Sequence, residues 1–210
     1  MSVRERLFAA VYDPLSVRVE RKFAAEEKRK LLAHAEGRVL EVGVGTGLSF
    51  AHYPAVDELV GVDPSEPMLR RARRRAAELG REVTLINAPA EALPFEDDSF
   101  DTVVAFAVLC SVGDQARALA EIRRVLRPGG RFIFIEHVRA EDPALARRQD
   151  RWERPWGWFT CGCHPNRDTL AAIEAAGFDV VELAREERPE LPRLVRPHVK
   201  GWGQTPANPQ

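Results

Sequence analysis

Apolar residues in this chain fall into short runs separated by stretches with helical spacing, and the two patterns alternate. The strand-like runs are RVLEVGV (Arg38 to Val44), ELVGVD (Glu58 to Asp63), VTLIN (Val83 to Asn87), FDTVVAFAVL (Phe100 to Leu109) and RFIFIEHV (Arg131 to Val138). Between them the spacing predicts a short helix after Gly47, a longer one from Glu66 to Leu79 and another from Gln115 to Leu126. The last is expected to stop at RPGG, because Pro128 cannot continue a helix while Gly129 and Gly130 permit positive φ. Strand and helix in this order argue for an α/β fold, a doubly wound and mostly parallel sheet with helices on both faces.

Three segments stand outside the alternation. Residues 1–36 read as a pair of amphipathic helices split at Asp13-Pro14 and are expected to form an N-terminal lid. Residues 139–166 form a long insertion that carries three of the four tryptophans and is expected to be a second, substrate-side lid. After a helix from Asn166 to Ala176, FDVVELARE and HVKGWG suit a terminal hairpin on the sheet edge, and residues 204–210 (QTPANPQ) a disordered tail. With no internal repeat and no low-complexity linker, residues 1–210 read as one domain.

Composition narrows the partners. Lysine plus arginine (31) balances aspartate plus glutamate (32), so no global field favours nucleic acid or an anionic membrane. Three cysteines are an odd count, and MSVRERLF lacks a secretory apolar region; reduced thiols and a cytoplasmic location are expected. The longest clean apolar run, Val103 to Cys110, is too short to span a bilayer, so no integral membrane association is expected.

The stretch EVGVGTG, Glu41 to Gly47, is the first candidate for chemistry. Its glycines at Gly43, Gly45 and Gly47 are one residue short of the GxGxxG of a dinucleotide turn. A carboxylate at Glu41 would repel a pyrophosphate but attract an ammonium or sulfonium, and the helix after Gly47 offers free N–H groups to a carboxylate. Asp63, at the end of the second strand, has the place and residue type for gripping two ribose hydroxyls. An amino acid joined to a nucleoside fits these features better than NAD, which points to S-adenosylmethionine.

Four segments in order, EVGVGTG, VDPSEPML, APAEALPFEDDSFDTVV and RRVLRPGG, resemble the class I S-adenosylmethionine-dependent methyltransferases. That resemblance implies a Rossmann-like seven-stranded sheet whose last two strands form an antiparallel hairpin. It also implies that Glu41 and the turn hold the methionyl end of the cofactor, Asp63 the ribose, Pro64 and Met68 the adenine face, and Ala90 and Glu91 the adenine edge; Ala107 is placed with these cofactor-binding residues. Pro89 stands where many relatives carry an aspartate, so the adenine amino group needs another partner. A further set, GTGLSFAHYP, VLCSV, EIRRVLRPGG, EHV, GCHPNRDT and PHVKG, resembles the methyltransferase-like group whose animal members are membrane-bound alkyl thiol S-methyltransferases. MSVRERLF does not read as the N-terminal membrane anchor of that group, so no membrane location is expected.

Glu136 and His137 end the fifth strand, where a core gives way to a ligand crevice. His137 is a candidate base for an acceptor; the other reading makes the pair an anchor for the insertion. Cys110 is either a small buried hydrophobe or a wall of the acceptor pocket. The CGCH stretch, Cys161 to His164, lacks the spacing and the second pair of a zinc site, so no metal is expected, and Cys163 and His164 are read as a turn lining the acceptor pocket. Trp152 and Trp156, four residues apart, suit one helix face on the core or, with Trp158 and Phe159, a pocket roof; Tyr12 would join from the N-terminal lid. The RRARRR run, Arg70 to Arg75, reads as a solvated helix face, not a nucleic-acid patch.

The expected activity is methyl transfer from S-adenosylmethionine to a small apolar acceptor, most simply a thiol. N-, O- or C-methylation of a lipid amine, phenol or quinone is the enzymatic alternative, and a non-catalytic cofactor-binding module the third.

Overall fold

The structure is a computed structural model that describes residues 25–160 and 162–207. Helix α1 is Ala25–Leu32, followed by strands β1 (Arg38–Val42) and β2 (Glu58–Val62), helix α2 (Glu66–Glu78) and strands β3 (Thr84–Ile86) and β4 (Phe100–Phe106). Then come α3 (Gln115–Val125), β5 (Leu126–His137), α4 (Pro143–Phe159), α5 (Thr169–Ala175), β6 (Asp179–Glu187) and β7 (Pro197–Gln204). The strands form one seven-stranded sheet in the order β3-β2-β1-β4-β5-β7-β6. Strands β1 to β5 pair in parallel, and β7 inserts antiparallel between β5 and β6.

Alternation along the central strands feeds two apolar layers. Leu40, Val42, Val103, Ala105, Phe132 and Phe134 face α3 and α5, whereas Val39, Val104, Ile133 and Ile135 face α1 and α2. Chain order reverses between β1 and β4, so the carboxyl ends of those strands open the crevice where such sheets bind ligands.

Several segments gain detail from the described residues. Within 25–36, Leu31, Leu32 and Ala35 are buried in the core layer, and Glu27 pairs with Arg188 and Lys200. Tyr12 lies outside the described residues. The third helix gives way to strand at Leu126, ahead of RPGG, because Leu126 pairs with Phe100 and the register then shifts before Thr102 meets Arg131. Gly129 takes up the bulge at φ 76°. The insertion is largely one helix of 17 residues, with Pro143 in its first turn and Asp142 accepting from the N–H groups of Ala144 (3.0 Å) and Leu145 (3.2 Å). At the start of the C-terminal segment Thr205 is buried and donates from Oγ1 to the Arg127 carbonyl at 2.7 Å and from its N–H to the Gly130 carbonyl at 3.0 Å.

Among the described residues no helix is long and apolar enough to cross a membrane.

Candidate active site

The glycine turn leaves β1 with Gly43, Gly45 and Gly47 at φ 66°, 54° and 75°, backbone that side-chain-bearing residues rarely adopt. A Cβ on Gly43 would overlap Val108, and one on Gly47 the Phe50 ring. A Cβ on Gly45 would meet nothing among the described residues closer than the Gly43 carbonyl at 3.9 Å, so the turn is open on that side. Asp63 closes it from β2: its carboxylate accepts from the N–H of Gly45 at 2.9 Å and from that of Ser65 at 2.8 Å. Burial pushes the Asp63 carboxyl above its ordinary range, and those two N–H groups oppose the rise.

Glu41 works from beneath. Its buried carboxylate accepts from Ser49 Oγ at 2.5 Å and Tyr53 Oη at 3.1 Å, which ties β1 to the 3₁₀ segment Leu48–His52 and its flank. Burial and the neighbouring carboxylate push the Tyr53 phenol up, so it remains a donor. Arg75 supports the turn from α2, donating from Nη1 to the Thr46 carbonyl (2.5 Å) and Oγ1 (2.9 Å). This corrects the reading of RRARRR as wholly solvated; Arg73 and Arg74 are exposed, but Arg75 is half-buried on the glycine turn.

The remaining predicted cofactor residues line the same end of the sheet. Pro64 is exposed and Met68 buried at the start of α2; Ala90 is buried. Glu91 turns its carboxylate to the start of α3, where it accepts from the N–H groups of Gly113 (2.8 Å) and Asp114 (3.2 Å). Ala107 is exposed just beyond β4 at φ 57°, a strained setting for a residue with a Cβ, held by its N–H bond to Ile135 at 2.7 Å.

That strained turn is organised by Glu136. Its fully buried carboxylate accepts from the N–H groups of Val108 (2.9 Å), Leu109 (2.9 Å) and Cys110 (3.1 Å). Burial raises the carboxyl to about 7 against the pull of the three donors. Glu136 is thus an anchor of the β4 exit, with no oxygen turned to the crevice.

His137, half-buried, sits between two sulfurs: its Nδ1 lies 3.3 Å from Cys110 Sγ and 3.6 Å from Cys163 Sγ. Cys163 comes from the far side of α4, on a loop bonded to the β4 exit. The His164 N–H donates to the Cys110 carbonyl (2.7 Å), Arg167 Nη1 to the Leu109 carbonyl (2.7 Å), and Gly162 packs where a Cβ would strike the Ser111 carbonyl. The neighbouring Cys163 thiol and burial push the Cys110 thiol up, while Cys110 and His137 beside it pull Cys163 down. Against them pack Val195, Leu191 and Trp156, an apolar wall. His164 is spent on Glu153, with Nδ1 2.5 Å from its carboxylate. Trp152 (53%), Trp158 (60%) and Phe159 (70%) are exposed, so Trp152 and Trp156 share no core face; only Trp156 turns inward.

CxxC spacing could not reveal this cluster, because its three members come from the turn after β4, the end of β5 and the loop after α4. A cavity of about 820 Å³ bounded by Asp97, Arg123, Leu126 and Pro128 lies at the opposite ends of the strands, so size alone does not mark the site.

An open glycine cradle closed by the buried Asp63 carboxylate, on this strand order, fits S-adenosylmethionine. The methyltransferase domain family matches residues 40–134. Thiol S-methyltransferase TMT1A of Homo sapiens is 35% identical over 193 residues, 85% of this chain and 78% of that protein. The chain belongs to the class I S-adenosylmethionine-dependent methyltransferases. It is also similar to phosphatidylethanolamine N-methyltransferase of Cereibacter sphaeroides, 38% identical over 147 residues, 66% of this chain and 72% of that one. In fold it matches a solved S-adenosylmethionine-dependent methyltransferase of Thermotoga maritima at TM-score 0.68 and 24% identity, covering 95% of this chain and 98% of the other.

Proposed function

We propose that this methyltransferase acts on a small apolar thiol. The observation that carries the reading is the apolar wall of Trp156, Val195 and Leu191 around Cys110, His137 and Cys163, at the carboxyl ends of β4 and β5. Similarity to thiol S-methyltransferases along most of the chain supports it.

Gly43, Gly45 and Gly47 would hold the methionyl end of the cofactor, with Glu41 and Arg75 keeping the turn in shape. Asp63 would take the ribose, Pro64, Met68 and Ala90 the adenine, and Ala107 the wall between cofactor and acceptor. Bound there, S-adenosylmethionine supplies an already electrophilic methyl group. The chain's own residues therefore have to orient the acceptor and exclude water. Glu136 does the first by fixing the β4 exit; Trp156 and the GCHPNR loop do the second.

The test is a turnover panel with labelled cofactor and an apolar alkyl thiol, glutathione, a lipid amine and a quinol. Methylation of the alkyl thiol above the others is expected. Turnover of the amine or quinol with none of any thiol would replace this reading with N- or C-methylation, which the similarity to phosphatidylethanolamine N-methyltransferase favours.

A further inference from the structure

We propose that Cys110, Cys163 and His137 are the three protein ligands of a Zn²⁺ ion whose fourth position takes the acceptor thiol as its thiolate. The ion site stands on geometry alone; the role of its fourth position rests on the thiol reading above.

One ligand atom from each residue falls within 4.8 Å of the other two. In tetrahedral coordination, with Zn–S near 2.3 Å and Zn–N near 2.0 to 2.1 Å, a sulfur and a nitrogen ligand stand about 3.6 Å apart. The two sulfur-to-Nδ1 distances are 3.3 and 3.6 Å, so the two sulfur–nitrogen edges already have tetrahedral length, and the sulfurs lie within 4.8 Å of each other. Two thiolates and an imidazole select a borderline-soft ion, and three protein ligands with an open place describe a reactive site, not a purely structural one.

The surroundings fix the ligands. Cys110 is held by its own N–H on Glu136 and by the His164 N–H on its carbonyl. The indole N–H of Trp156 is buried, falls outside ordinary hydrogen-bond geometry, and is directed to the Cys163 sulfur in the cluster that contains both sulfurs. A donor turned to a sulfur suits a metal-bound thiolate, which still accepts N–H. Cys110 and Cys163 are buried, and half-buried His137 leaves the way in for an ion and a small thiol.

On binding the ion, each cysteine releases its S–H proton to solvent and keeps the electron pair for the metal. A thiol entering the fourth position does the same, which yields a thiolate at neutral pH without a general base. The methylated product, a thioether with no proton to lose, ligates weakly and leaves.

Co²⁺ added to protein stripped with a chelator and kept reduced tests the site directly. One equivalent should give a thiolate-to-cobalt charge-transfer band with tetrahedral d–d absorption. Cys110→Ser, Cys163→Ser and His137→Ala should each weaken it on the order of 100-fold or more, in variants that still bind the cofactor. No charge-transfer band, or one indifferent to Cys163→Ser, overturns the site. So does a fall from three titratable thiols to one on mild oxidation of a protein that ignores Co²⁺, since that marks a disulfide pair. Cys161→Ser should leave the spectrum unchanged; loss there would mean four protein ligands and overturn the open position. An alkyl thiol should shift the d–d bands, and a silent spectrum overturns thiol ligation with the ion site intact. Full thiol turnover by the stripped protein overturns the ion's role and leaves the thiol reading standing. Metal binding with no thiol methylated in any form overturns the thiol reading and leaves the ion.

Discussion

Replacing Glu136 by glutamine tests how the β4 exit is held. The carboxylate accepts three backbone N–H bonds in a fully buried setting. Below about pH 7 the native group is a protonated carboxyl whose hydroxyl oxygen can still accept from the Cys110 N–H, whereas a glutamine that keeps its oxygen on Val108 and Leu109 turns an NH₂ to that N–H, which loses its acceptor. One unmet buried donor costs roughly 1 to 3 kcal/mol. The wild-type group brings a pH dependence of its own, because burial lifts its folded value to about 7 from 4.5. For an acid raised in the folded state the native chain binds the extra proton, so stability is fullest below 4.5 and is lost as pH climbs through about 7. At 1.36 kcal/mol per unit this amounts to about 2 to 3 kcal/mol between about pH 5 and pH 8. Urea denaturation of both proteins across that range should therefore show the variant weaker at low pH, with the gap shrinking toward zero or reversing at high pH. A gap that grows with pH would mean that the three N–H donors outweigh burial, and a constant gap would mean the group does not titrate there. Turnover should fall in the variant at every pH, since Cys110 loses its anchor.

Other outcomes follow from the same contacts. Asp63→Ala should weaken S-adenosylmethionine binding by roughly 1 to 3 kcal/mol in calorimetry, and unchanged affinity would move the ribose site elsewhere. Reversing exposed Arg73 and Arg74 to glutamate should leave methyl transfer near wild type, whereas Arg75→Ala should lower cofactor affinity measurably by freeing Thr46; equal effects would discard the distinction. Gly47→Ala, with φ 75° and Phe50 in the way, should cost at least about 1 kcal/mol in thermal unfolding and reduce cofactor binding, and a neutral result would mean the turn relaxes.

The sheet was legible because strands buried on both faces announce themselves as apolar runs, and the resemblance supplied the hairpin. Glu41, Asp63 and the glycine turn were legible because they are neighbours in sequence or one βα unit apart. Arg75 was not, since helical spacing places it only at the margin of the polar face, and its partner Thr46 is 29 residues away. Glu136 looked catalytic by position, yet its carboxylate turns inward to N–H groups that no side-chain pattern records. The sulfur-imidazole cluster joins residues 26 and 27 positions apart through a loop docking held mainly by backbone bonds, and spacing rules are blind to such contacts.

The most direct measurement is a competition for methyl transfer between an apolar alkyl thiol and glutathione, with a lipid amine as third acceptor, read as the ratio of kcat/KM values. Burying glutathione's carboxylates without partners against Trp156, Val195 and Leu191 should cost several kcal/mol, so a preference of roughly 100-fold or more for the alkyl thiol is expected. Equal use of the two thiols would contradict the apolar pocket, and a preference for the amine would contradict the thiol acceptor itself.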